Sequence, residues 1–91
     1  MIEFQTEVGQ WADSKFTKST PQSVCAHLSD EAAELQAAPD DPSEAADCLL
    51  LLLHLAHKQG FDLLAEARRK HQINTERNWG TPDERGVVKH I

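Results

Sequence analysis

Residues 30–47 read DEAAELQAAPDDPSEAAD, and this stretch decides the fold. It carries seven carboxylates, Asp30, Glu31, Glu34, Asp40, Asp41, Glu44 and Asp47, and no lysine or arginine occurs from Ser19 to His57. Pro39 closes one helical pattern and Asp41-Pro42 opens the next, because proline disfavours a helical residue before it and suits the first helical position. The stretch is therefore read as a hairpin of two acidic helices. On each helix one pair of acids stands three apart, Glu31 with Glu34 and Glu44 with Asp47. Side chains at that spacing share a face, about 5–6 Å apart at Cβ, and like charges there are mildly destabilising. Two such pairs with no cation between them predict a divalent-metal site built from two adjacent, antiparallel helices.

Upstream, Thr20 and Pro21 form an N-cap and N1 pair that starts the first of these helices. Val24, Leu28, Ala32 and Leu35 make its apolar stripe, and His27, Glu31 and Glu34 recur at spacings of four and three on a neighbouring face. Its end is expected near Ala38. Before it, Ile2 to Phe16 reads as another helix, with Phe4, Val8, Trp11 and Phe16 near a 3.6-residue repeat. Trp11 reads as core, with stacking against a flat ligand as the second reading.

Downstream, the second acidic helix runs from Pro42 through Leu49–Leu53, Leu55 and Ala56 to Gly60, a C′ glycine. It is apolar nearly all round in its middle turns, so it needs cover on several sides. In a chain this small that points to a subunit interface as well as a core. Asp62 caps a last helix reaching about Arg77, with Leu63, Leu64 and Ala67 facing inward. Lys70, Asn74 and Arg77 follow at spacings of four and three, which makes a cationic stripe on one face. Trp79-Gly80-Thr81-Pro82 stops the helix, and residues 83–91 are expected as an extended or disordered tail. The fold class is all-α, with four helices in one domain over residues 1–91 and no convincing strand pattern.

The composition narrows the function. Ninety-one residues bury a modest core, so pairing of copies into a homodimer or homotetramer is a natural way to stabilise it. Fifteen acidic against nine basic residues argue against nucleic-acid polymers or an anionic membrane as partners. Cys25 and Cys48 show no framework spacing and read as free thiols in a reducing compartment. Residues 1–10 carry Glu3 and Glu7 and no apolar run, unlike a signal peptide. A cytoplasmic location is therefore expected.

Each motif has an ordinary reading beside the chemical one. Glu44 stands at N3 after Asp41, a capping-box position, so spacing alone also reads it as a cap. Asp47 lies one turn further in, one cysteine before five leucines, where an unpaired carboxylate is costly to bury. Carboxylates without clustered Cys or His select a hard cation, Mg²⁺ with Mn²⁺ as a substitute. Cys25, His27, Cys48, His54 and His57 match no zinc spacing. The Lys70, Asn74 and Arg77 stripe offers two cations and an amide to a polyphosphate, although such stripes are commonly solvated faces.

Glu31-Ala-Ala-Glu34, then Glu44-Ala-Ala-Asp47 with its leucine run, then Lys70, Asn74, Arg77 and Trp79 occur in the order found in one family. The chain resembles the all-α nucleoside triphosphate pyrophosphohydrolases of the MazG-like superfamily. It is similar in particular to the dATP/dGTP branch, through His27-Leu28, Gly60, Pro82, Gly86 and His90. The resemblance implies hydrolysis of a deoxynucleoside triphosphate substrate to the monophosphate and pyrophosphate. It implies two or three Mg²⁺ or Mn²⁺ ions on Glu31, Glu34, Glu44 and Asp47, with Glu31 or Glu34 taking a proton from the attacking water. Lys70, Asn74 and Arg77 would meet the phosphates or sugar, His27 would orient a carboxylate or touch substrate, and Trp79 would stack on a base or pack the helix end. The competing readings are a non-catalytic helical oligomerisation module and a pyrophosphohydrolase for dUTP, dCTP or a modified base.

Overall fold

The structure, a computed structural model, describes residues 2–91. It contains helices α1 (Ile2–Lys15), α2 (Pro21–Ala37), α3 (Pro42–Gln59) and α4 (Leu63–Thr75). The predicted all-α architecture is the observed one, and the first residue of the expected domain lies outside the described residues.

The helix starts follow from their caps. Thr20 Oγ1 accepts from Ser23 N at 3.1 Å, and Ser23 Oγ accepts from Thr20 N at 2.8 Å, a reciprocal capping box. Asp41 Oδ1 accepts from Ser43 N at 2.9 Å, and Asp62 Oδ1 accepts from Ala65 N at 3.2 Å. Only residues 38–41 separate α2 from α3. That short connection folds the acidic helices against each other as an antiparallel hairpin, the most extensive helix pairing in the chain. Gly60 ends α3 with φ 77°, a left-handed conformation that glycine adopts without a Cβ clash. There the chain turns sharply, and α4 leaves α3 at a bend of 104°.

α1 crosses the other side of α3, and its packing face differs from the expected one. The buried residues are Gln5, Gly9 and Ala12, not the aromatic stripe. Trp11 is 59% exposed, and Phe4 and Phe16 are also exposed. The reason is close approach. Gly9 lies against the His57 ring and Cβ, with no room for a Cβ of its own. Small residues bring the helices together, and the aromatics are left on the flank. Gln5 fixes the register by donating to Phe61 O at 2.6 Å and accepting from Leu63 N at 3.0 Å. One buried amide thus satisfies a carbonyl and an N–H at the α3–α4 corner.

Asp13 makes a second tie. It accepts from His54 Nε2 at 2.8 Å and Lys58 Nζ at 2.9 Å, and lies 3.8 Å from His57 Nε2. The His54 bond first, then the Lys58 bond, holds the Asp13 carboxyl below its usual range.

Two expectations at the far end need correction. α4 stops at Thr75 rather than near Arg77, because its last bonds tighten to Glu76 N→Ile73 O at 3.1 Å and Arg77 N→Asn74 O at 3.3 Å. Ala67, expected to face inward, is exposed, while Leu63 and Leu64 are half-buried. Residues 78–91 fold back as a ribbon, with Gly80 N→Lys89 O and Ile91 N→Asn78 O both at 2.8 Å and an isolated bridge between Trp79 and His90. Asp83 closes its turn by accepting from Arg85 N at 2.8 Å and Val87 N at 2.9 Å. Backbone bonds that join distant residues give no periodic signal in the sequence.

The interior is thin. Its buried apolar residues are Ala12, Val24, Leu53 and Ala56, while Leu49, Leu50 and Leu52 remain exposed. The radius of gyration is 15.2 Å, against about 12 Å for a compact domain of this length. Among the described residues no single helix is long and apolar enough to cross a membrane.

The Gly9 contact gives a test with a definite sign. Alanine in a helix interior normally stabilises by about 1 kcal/mol over glycine. At this site it meets the stem of His57, so Gly9→Ala is expected to destabilise by about 1–3 kcal/mol. Urea unfolding followed by circular dichroism measures it.

Candidate active site

Antiparallel pairing of α2 and α3 puts the last turns of one beside the first turns of the other. This brings acids from both helices together. Carboxylate oxygens of Glu31, Glu44 and Asp47 all lie within 4.8 Å of one another. Glu34 is not in that trio but stands near enough to raise the carboxyls of both Glu31 and Glu44.

Glu44 is not a helix cap. The Asp41 N–H that a capping box would bond donates instead to Ala38 O at 3.0 Å. Glu44 Oε2 and Glu31 Oε2 are both buried and lack hydrogen-bond partners. Buried acceptors with nothing to accept from are costly. His27 Nε2 lies 3.2 Å from the other Glu31 oxygen, Oε1, as expected of a residue one turn earlier on that face.

The acids hold protons more tightly than ordinary carboxylates. Glu31 is raised first by its side-chain contact with Glu34, which becomes a hydrogen bond only when one of the two is protonated. Desolvation and the charges of Glu34 and Asp47 add to this, and His27 opposes it. Glu44 is raised first by desolvation, then by the charges of Glu34, Asp41 and Asp47. Hard oxygen donors, mutual repulsion and two unpartnered oxygens fit a divalent cation. The donor set offers zinc no thiolate or imidazole cluster among the described residues.

Beside the acids a cavity of about 1020 Å³ opens between α1, α2 and α3. Glu31, Asp47 and His27 stand on its wall, while Phe4, Val8, Trp11 and Phe16 line the α1 side. Trp11 and Phe16 meet edge to face, with centroids 5.6 Å apart. Sequence reasoning read Trp11 first as core and second as a surface for a flat ligand, and the structure leaves it exposed on the cavity wall. The signal that could have moved it was Gly9 and Ala12, small residues on the opposite flank. Two further wall groups were not singled out as site residues. Ser19 supplies a buried hydroxyl without a partner, and Lys18 is the only lysine or arginine on the wall among the described residues. His54, 3% exposed, also lines the cavity but is committed to Asp13.

The α4 stripe lies elsewhere. Lys70 is exposed, Asn74 and Arg77 are half-buried, and none of them lines the cavity. Trp79 packs the helix end as one of its two readings proposed, its Nε1 donating to Asn74 O at 2.9 Å. The structure therefore unites the acids and His27 and leaves Lys70, Asn74, Arg77 and Trp79 apart from them within one chain.

An all-helical hairpin with acids converging beside an aromatic cleft defines a MazG-like fold. The solved MazG-like pyrophosphohydrolase of cyanophage S-2L superposes with a TM-score of 0.83 at 35% identity, covering 100% of this chain and 97% of that one. That structure holds dGDP and three catalytic Mn²⁺ ions per active site. A curated relative from the same phage, a dATP/dGTP diphosphohydrolase, is 36% identical over 93 residues, spanning 100% of this chain and 88% of that protein. The model of the dATP/dGTP pyrophosphohydrolase family matches residues 4–91, and the chain belongs to that family.

The raised carboxyls make metal binding a competition with protons. A group whose pKa is raised on folding contributes stability below its unfolded pKa, and that contribution is lost as pH rises through the folded value. For Glu31 and Glu44 the metal-free chain therefore loses stability as pH rises through and just above the ordinary carboxylate range. A bound cation restores it and displaces the protons. The gap in Tm between Mn²⁺-loaded and metal-free protein is expected to widen from pH 5 to pH 7.5. A gap that is flat or narrows with pH in paired thermal melts would contradict this.

Proposed function

We propose that the chain hydrolyses purine deoxynucleoside triphosphates, dATP and dGTP, to the monophosphate and pyrophosphate with divalent metal in the acidic site. The observation that carries this reading is the convergence of Glu31, Glu44 and Asp47, with two buried carboxylate oxygens unpartnered, at the wall of a nucleotide-sized cavity. Family membership supports the reaction class, and the purine preference is carried over from the family.

Glu31, Glu34, Glu44 and Asp47 would hold two or three ions, Mg²⁺ or Mn²⁺. Such ions, when bound, acidify a water and clamp phosphate oxygens. Glu31 or Glu34 receives the proton of the water that attacks the α-phosphorus. His27 orients Glu31 through its 3.2 Å contact. Phe4, Trp11 and Phe16 offer flat apolar surface to the base. Lys70, Asn74 and Arg77 are assigned to the phosphates and sugar, where charge-assisted bonds are strong.

Those three residues do not line their own chain's cavity, and the exposed leucines of α3 need cover. Both facts favour a homodimer or homotetramer in which copies pair through α3 and a second copy's α4 approaches the cleft. The working form is then an assembly of this chain alone, without nucleic acid or membrane as partners.

Three outcomes are expected. Free pyrophosphate release from a nucleotide panel is fastest with dATP and dGTP, and Asp47→Asn or Glu34→Gln lowers it by about 100-fold or more, since a metal-clamped phosphate is worth several kcal/mol. Either variant retaining wild-type turnover would remove the proposed site. Trp11→Ala raises KM for dGTP while changing kcat less, read from initial rates. Sedimentation equilibrium finds wild type at twice or four times the chain mass, and Leu52→Glu shifts it toward monomer. A wild-type monomer would refute the assembly.

A further inference from the structure

α4 ends at Thr75, so Arg77 stands two residues beyond the helix. Helical register no longer aims its side chain. A contact with His90, backed by two more behind it, does. Arg77 Nη1 lies 3.3 Å from His90 Nδ1. A guanidinium only donates, so in this bond Nδ1 is the acceptor. The His90 ring stands edge-on to Trp79, with centroids 5.9 Å apart and planes at 87°. Trp79 in turn donates to Asn74 O at 2.9 Å. The imidazole thus links Arg77 to Trp79, and Trp79 bonds directly to Asn74.

His90 is itself held by the ribbon. Lys89 O and Ile91 N, its flanking backbone groups, bond Gly80 N and Asn78 O at 2.8 Å. The far turn is closed by Asp83, which also grips the Arg85 guanidinium at 2.9 Å. Gly86, at φ 79°, permits that turn, with its N–H bonded to Asp83 O at 2.9 Å. The ribbon brings an acceptor from residue 90 to a guanidinium at residue 77.

We propose that His90 is a positioning residue for Arg77, orienting the guanidinium for the substrate phosphates through Nδ1 while its ring packs on Trp79. The inference rests on Arg77 serving the phosphates, as assigned above. It makes the folded-back ribbon a working part of the nucleotide site rather than a passive tail. The bond uses one donor, Nη1, and leaves the remaining guanidinium N–H groups to meet the phosphates.

The test is steady-state kinetics with dGTP and Mn²⁺ on the full chain, alongside Mn²⁺ titration of each variant. Arg77→Ala is expected to raise KM about 10-fold or more, the effect of losing a hydrogen bond between charged groups. His90→Ala should raise KM about 3- to 10-fold, a part of that same bond's effect, with kcat within about twofold and Mn²⁺ affinity unchanged. The double variant should be no worse than Arg77→Ala, because His90 acts only through Arg77. His90→Asn, whose Oδ1 falls near the place of Nδ1, should recover most of the loss. His90→Gln, whose oxygen reaches the Nε2 position instead, should not.

Wild-type KM in His90→Ala beside an impaired Arg77→Ala overturns the positioning role and leaves the phosphate assignment intact. Wild-type KM in Arg77→Ala overturns the phosphate assignment, and the inference with it. Effects that multiply in the double variant, or equal rescue by Asn and Gln, also overturn it. If His90→Ala does not fold, the contrast between the Asn and Gln variants decides alone.

Discussion

Carboxylates gathered within 4.8 Å repel unless a proton or a cation stands between them, and the rest of this molecule is arranged around that repulsion. The α2–α3 hairpin forces Glu31, Glu44 and Asp47 together by backbone geometry, through two caps and a short turn. Among the described residues no lysine or arginine pairs with these carboxylates. Lys58 is spent on Asp13, and the arginines of α4 lie outside the cavity. Without metal, protons are the remaining remedy: Glu31 is raised first by its contact with Glu34, and Glu44 first by desolvation, with the neighbouring charges adding to it. The site is thereby poised for a ligand of opposite charge, at a cost to the metal-free fold.

The hairpin was legible because every part of it is written locally. Thr20-Pro21, Asp41-Pro42 and Gly60 are boundary signals with a physical mechanism, and each falls where the chain turns. The four acids follow from spacing once the helices are placed, and Glu44, ambiguous between cap and ligand by spacing, is separated by its buried, unpartnered oxygen. What was not legible depends on contacts between distant residues. The aromatic stripe of α1 has helical periodicity whether it meets a core or a cleft. Only the fit of Gly9 against His57 decides which. Likewise Arg77 fits a helical stripe by count, but the helix stops first. Its placement comes from a bond across 13 residues that no periodicity encodes.

The exposed leucines have a similar logic. Five consecutive leucines cannot all face one partner on a helix, since they cover all sides of it. Leu53 is fully buried and Leu51 in part, while Leu49, Leu50 and Leu52 stay exposed in the single chain. The few fully buried apolar residues and the uncovered surface on the central helix are what the proposed pairing of copies rests on.

The Gln5 clamp bears on how the chain reaches this state. Its two bonds span 56 and 58 positions, whereas the acidic hairpin closes over residues 38–41. By loop-closure entropy the longer contact costs about 2 kcal/mol more to form. Local helices with a short connection also nucleate faster than distant pairings. Loop-closure entropy therefore favours forming the acidic hairpin before α1 docks. In that order the carboxylates of α2 and α3 meet before α1 completes the cavity beside them.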